Sequence, residues 1–269
     1  MIGLFKYFSS EKLAFFEKCL VLLTPPKFLN DPWDFLPKGR TLTDEEINQE
    51  WQKWEKEIAE SSGKSVPAQF AQLQPKERLQ LMLTSGKSQE FVEGLPKYSQ
   101  EKFSLICGII SLTEKSLCRL MWAHYAESHA GFVAEFTATD HFEEPEEKLS
   151  GCSCMGFPAC KVKYSPTFRQ HPWTSDNIVQ ASWSKHPLWE YEQEWRMLLP
   201  LAGSVNYLDR HCLPFSPEHL TRVIFGMRMK PKAQQRLSLM LNQNQFKHVQ
   251  KQVTDIDNET GELILKSLS

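Results

Sequence analysis

A chain of 269 residues, 41% hydrophobic and 24% charged, makes one large domain or two small ones and can bury a substantial core. A net charge of −2 supplies no global field toward nucleic acid or anionic membrane, although local basic patches remain open. The early apolar run at 20–23 is too short for a secretory signal or a membrane span, and seven irregularly spaced cysteines suit a reducing compartment. A cytoplasmic protein without membrane, disulfide or structural metal is therefore expected.

Residues 2–8 are aromatic and apolar enough for a strand, and a short helix follows from Ser10 with Glu11 near its positive end. A second buried strand is expected at 19–23. The proline-rich stretch 25–34 is then an irregular loop, because proline removes a donor and restricts its predecessor. Thr43 and Glu46 have capping-box spacing and predict a helix to about residue 59, with Ile47, Trp51, Trp54 and Ile58 on its apolar face. Pro75 suits the first turn of another helix. The stretch at about 40–97 thus reads as a helical insertion or lid within a single domain spanning 1–269.

The continuous apolar run 103–112 predicts a central strand. Ser116 is placed to cap a helix through Ala126; Gly131 breaks it, and 132–136 returns as a strand. Further strands are expected at 160–164, 194–201 and 222–225. A hairpin closes the series, with arms 249–255 and 262–266 around a turn at 257–261. The expected class is α+β: a mixed, mostly antiparallel sheet with packed helices.

Four clusters carry polar and aromatic residues together: Leu4-Phe-Lys-Tyr7; Phe28-Leu-Asn-Asp-Pro-Trp33; Leu120-Met-Trp-Ala-His-Tyr-Ala126 with His129-Ala-Gly-Phe132; and Trp189-Glu-Tyr-Glu-Gln-Glu-Trp-Arg196. Val223-Ile-Phe-Gly226 follows. In this order and spacing the chain resembles the bacterial domain of unknown function numbered 2971. The Met-Trp-x-His-Tyr and Glu-x-Glu-Trp-Arg elements are its specific parts. That family often has Arg directly after its first Lys-Tyr, where this chain has Phe8.

If 190–194 enters a strand, Glu190, Glu192 and Glu194 share one face, with Trp195 and Met197 on the other. Clustered carboxylates repel unless one is protonated or a cation develops beside them. An oxocarbenium-like transition state at a ribose carbon is such a cation. A Glu-x-Glu pair entering a strand also resembles the third motif of ADP-ribosyltransferases. That resemblance implies Glu194 as essential carboxylate and Glu192 as its assistant, with NAD as substrate and a protein, nucleic acid or water as acceptor. Lys6 would meet the diphosphate and Tyr125 stack on nicotinamide, with Tyr7, Asn30, Asp31, Trp122 and His124 completing the dinucleotide site. Such an activity suits an NAD-consuming toxin or effector in conflict between bacteria and phages or hosts.

Alternatives stay open. The glutamates can form a solvated or ion-paired edge, with Arg196 neutralising Glu194. Asn30-Asp31-Pro32 can simply build a turn. His124 with a Glu would suit a nuclease or other phosphodiesterase, and the same cleft would serve a binding module that holds a nucleotide or peptide without turnover. Cys152, Cys154 and Cys160 lack a clear fourth ligand for zinc.

Overall fold

The computed structural model describes residues 2–35, 43–62, 72–75, 77–78, 101, 103–144, 149–166 and 182–268. Six strands close into an antiparallel barrel: β1 (Ile2–Phe8), β3 (Cys107–Thr113), β9 (Glu194–Pro200), β6 (Phe157–Lys161), β5 (Leu149–Cys154) and β4 (Phe132–Glu144), which returns to β1. Closure removes the free edges that an open sheet would leave. The α+β class expected from sequence is present, with helices around an extensive and largely antiparallel sheet.

Alternation sorts each barrel strand into an inner and an outer face. Leu4 and Phe8 of β1, Ile110 and Leu112 of β3, and Trp195, Met197 and Leu199 of β9 pack inside with Phe132, Ala134 and Phe136 of β4. Cys152 and Cys154 also point into this core, where a thiol acts as a small apolar group. Phe8 stacks on Phe132 with ring centroids 4.8 Å apart. Seven residue pairs join β1 to β4, whereas Phe5–Thr113 is the one pair between β1 and β3. That thinly paired seam is where the site opens.

The long β4 carries β12 (Leu220–Phe225) beyond the barrel, followed by β13 (Gln250–Ile256), parallel to β12, and β14 (Leu263–Ser267). A small sheet of β10 (Val205–Tyr207), β11 (Arg210–Pro214) and β2 (Leu20–Leu22) packs beside residues 13–16. β7 (Lys163–Tyr164) pairs in parallel with β8 (Ser184–Lys185). The helix Arg119–Tyr125 buries Met121 and Trp122 against Phe5, Tyr7 and Val133 on the outer wall.

Several sequence expectations are corrected. Residues 103–106 are helical and β3 starts at Cys107; Leu105 and Ile106 are exposed, and an apolar run alone does not separate helix from strand. The helix expected from Ser116 starts at Arg119, with Cys118 before it. The glutamate segment is no continuous strand: Pro187–Glu192 is a 3-10 helix, Gln193 takes a left-handed φ of 44°, and β9 begins at Glu194. Proline at the first position favours the helical turn, and the left-handed residue ends it. The helix Asp44–Ser62 is present, with Ile47 and Trp51 buried; the side chains of Trp54 and Ile58, and most of the expected insertion, lie outside the described residues. The helix Pro231–Leu241, which buries Leu237, Met240 and Leu241, has no counterpart in the sequence reading.

Candidate functional site

Strand parity explains how charge comes to lie beneath a cleft. Trp195 and Met197 point into the barrel, so Glu194 and Arg196 point outward from the same strand. There they are covered by the loop 26–35, by β8 and by the 3-10 turn Pro187–Glu192, and both are almost wholly buried: Glu194 is 3% exposed and Arg196 1%. Glu192 arrives from the end of that turn, anchored when its carbonyl accepts from the Thr113 hydroxyl.

The ion network is continuous. Arg196 donates through Nε to Glu194 Oε1 at 2.8 Å and through Nη2 to Glu194 Oε2 at 3.0 Å. It also grips Asp34, with Nη1 to Oδ1 at 3.1 Å and Nη2 to Oδ2 at 2.5 Å. Lys185 Nζ reaches Glu192 Oε2 at 2.6 Å, Glu194 Oε2 at 3.0 Å and Asp34 Oδ2 at 3.7 Å. The Tyr125 hydroxyl donates to Glu192 Oε1 at 2.6 Å and accepts from Asn30 Nδ2 at 2.8 Å. Three buried carboxylates thus face two buried cations at bonding distance, with Lys6 a third cation nearby that feels the Glu194 charge without forming an ion pair.

These groups titrate apart. Burial raises the Glu194 carboxyl, but the Arg196 and Lys185 charges outweigh it and hold the group well below the usual carboxylate range. Burial raises Glu192, the Glu194 charge adds to that, and Lys185 offsets it incompletely, so Glu192 has the higher proton affinity. Burial also raises Tyr125, reinforced by the Glu192 charge, which keeps its hydroxyl protonated as a donor.

The cleft above this network has a volume of about 100 Å³, below the roughly 300–1,000 Å³ of drug-sized sites. Lys6, Tyr7, Asn30, Tyr125, Glu192 and Glu194 all line it, with Asp34, Ser111, Thr113 and Lys185. Lys6 donates to the Ser111 carbonyl at 3.0 Å beside the β1–β3 seam. Burial lowers its pKa to about 8, with Glu194 acting weakly the other way. The Tyr7 hydroxyl is already committed to the Lys115 carbonyl at 3.0 Å, so its ring is what the cleft sees.

Three proposed contacts lie outside the lining. Trp122 is fully buried, with its indole N–H donating to Ser116 O at 2.8 Å. His124 is exposed, with its ring centroid 6.1 Å from that of Tyr125. Asp31 accepts from the Trp33 backbone N–H and from Trp189 Nε1 at 2.8 Å, tying the loop to the 3-10 turn. Glu190 stays out of the carboxylate cluster.

Lys185 and Asp34 were not singled out from sequence. Asp34 closes the Asn-Asp-Pro-Trp-Asp loop, three residues after Asp31, and its signal is an acidic position in a loop that already carries candidate residues. Lys185 lies in a two-residue strand with no period to betray it. Its one available signal is the general requirement that buried carboxylates find cations, which names no position. Among the described residues no group of three or more His, Cys, Asp or Glu is arranged to hold a metal ion, and no helix is long and apolar enough to cross a membrane.

Fold and site together define a closed antiparallel barrel with a charged cleft on its outer wall. Residues 121–197 match the family described as protein of unknown function (DUF2971), and the chain resembles that family through this segment. The match runs from the helix bearing Tyr125 to β9 and so contains Lys185, Glu192, Glu194 and Arg196. No curated protein and no solved structure matches the chain.

Proposed function

We propose that the cleft is an enzyme site that cleaves the nicotinamide–ribose bond of NAD and passes ADP-ribose to an acceptor, with Glu192 as the working carboxylate. The observation that carries this reading is the Glu192 carboxylate, held at the cleft wall by Tyr125 and Lys185 while Arg196 clamps its neighbour Glu194. A carboxylate that is buried and held in place stabilises a cation that develops only in the transition state. Burial of ion pairs is weak support for stability, so a five-charge cluster under an open cleft is better explained by function.

Both oxygens of Glu194 are taken by Arg196, and Lys185 adds to one of them, which favours an orienting role for Glu194. Glu192 has the freer carboxylate and the higher proton affinity, which suits contact with a ribose hydroxyl or deprotonation of an acceptor. In this reading Lys6 meets the diphosphate, and the rings of Tyr7 and Tyr125 flank the nicotinamide. The acceptor is a protein, a nucleic acid or water. The phosphodiesterase alternative draws no support from His124, which lies outside the cleft lining.

Nicotinamide release from NAD, measured with and without cell lysate as a source of acceptor, tests the reading. Glu192→Gln should lower the rate by about 10²–10³ while leaving dinucleotide binding nearly unchanged. Binding of NAD without release under either condition would favour a non-catalytic nucleotide module. No binding at all would end the dinucleotide reading.

A further inference from the structure

We propose that Lys6 is a reactive amine that condenses with the carbonyl of a small aldehyde or ketone held in the cleft, with Glu192 moving the protons. This goes beyond the glycosyl-transfer reading and stands without it.

The inference begins with how differently the three cleft cations are bonded. Arg196 and Lys185 are each surrounded by carboxylates. Lys6 has one hydrogen bond, to the Ser111 backbone carbonyl, and among the described residues no carboxylate lies within ion-pair distance of it. Its remaining neighbour of note is the Phe8 ring, 5.9 Å away. An ammonium has three protons to place, and the half-buried Lys6 has a single protein acceptor for them, so its charged form is under-solvated relative to a surface lysine. The neutral amine fits the same surroundings better: one N–H satisfies Ser111, and the lone pair is left for the cleft that Lys6 lines.

The charged and titratable groups around it act in known directions. Burial favours the neutral amine and brings the pKa to about 8, against the weaker pull of Glu194. Lys185, Glu192, Asp34 and Tyr125 share the cleft wall. At neutral pH roughly a tenth of such amines are unprotonated, against less than about one in a thousand for a solvated lysine. Desolvation in an apolar-walled site is how lysines are activated for carbonyl chemistry.

The step balances without an oxidant. The Nζ lone pair attacks the carbonyl carbon, the C–O π electrons move to oxygen, and Glu192 carries one proton from nitrogen to that oxygen, which gives a neutral carbinolamine. Glu192 then takes the remaining nitrogen proton and delivers it to the hydroxyl, which leaves as water as the C=N bond to Nζ forms. Water is the sole by-product. The raised proton affinity of Glu192 suits both transfers.

The test uses the full chain, glycolaldehyde as the carbonyl probe and cyanoborohydride to reduce the imine, with peptide mapping by mass spectrometry. Lys6 should be alkylated at least about tenfold faster than the exposed Lys232 and Lys247 in the same sample. Its rate should saturate with probe and rise to half-maximum near pH 8. In Glu192→Gln the Lys6 rate should fall while the surface lysines are unchanged. Labelling of Lys6 no faster than that of the surface lysines would overturn the proposal, as would a rise centred where ordinary lysines titrate. Nicotinamide plays no part in the readout, so failure here is separate from failure of the glycosyl-transfer reading.

Discussion

Arg196 donates to both oxygens of Glu194 and both of Asp34, whereas Glu192 meets Lys185 and the Tyr125 hydroxyl. Two glutamates one residue apart therefore have different work. Neutralising Glu194 leaves Arg196 and Lys185 short of charge inside the protein, so Glu194→Gln should cost about 3 kcal/mol or more, read from urea unfolding at neutral pH. The sign of its pH dependence follows from the lowered carboxyl: the stabilisation is present above the ordinary carboxylate pKa and is lost as pH falls through the lower folded value. The stability gap between wild type and Glu194→Gln should close as the solution is acidified below about pH 4. A gap that stays constant to acid pH would mean that Glu194 is not held by these cations. Glu192 has the opposite tendency, since ionisation there is opposed by burial. Glu192→Gln should leave stability within about 1 kcal/mol of wild type, and this separates a working carboxylate from a structural one.

The element that delivers Tyr125 depends on a close approach rather than on its own helix, which is just seven residues long. After Tyr125 the chain reverses through Glu127, Ser128 and His129, all with left-handed φ, at 51°, 51° and 69°. Such conformations cost non-glycine residues energy and persist when surroundings hold them. Here Ser10 bonds Glu127, and the Arg228 N–H donates to the His129 carbonyl at 3.0 Å. Gly131 lets the turn press against β1: a Cβ there would lie 2.0 Å from the Phe8 carbonyl oxygen, with the Ala126 backbone at 3.0 Å. Backbone cannot yield as a flexible side chain can. Gly131→Ala should therefore destabilise by about 3 kcal/mol or more, measured as a drop in the urea midpoint. A midpoint within error of wild type would show that the turn relaxes easily.

For the whole molecule, β4 is the strand on which the parts converge. Residues 132–136 pair with β1 on one side and β12 on the other, and the far end of the strand continues into β5. Its inner residues Phe132, Ala134 and Phe136 are fully buried. In native-state hydrogen exchange these amides should be among the slowest, opening only with global unfolding. β14 pairs with β13 alone and lies at the end of the sheet order, so its amides should exchange faster. Equal protection in β4 and β14 would show that the barrel and its three-strand extension unfold as one unit.

Much of this architecture is local enough to be legible in the chain. Alternation at 2–8 and 194–200 places β1 and β9, the break at Gly131 places β4, and the turn at 257–261 sets the last hairpin. The dense Lys-Tyr, Asn-Asp, Tyr and Glu-x-Glu clusters were enough to name most of the polar residues that meet in the cleft. Barrel closure was not legible, because it rests on β1 pairing with both β3 and β4 across more than a hundred residues of sequence. The roles of the two glutamates were not legible either. Sequence parity put Glu190, Glu192 and Glu194 on one strand face, but the left-handed residue at Gln193 ends a helical turn between them. Which carboxylate is clamped and which is freer depends on where Asp34, Lys185 and Arg196 come to lie. Charge interactions inside a protein act through space and are weakly screened there, so no spacing along the chain records them. Side-chain chemistry chose the residues available to the site; tertiary structure decided which of them share a dielectric and a partner.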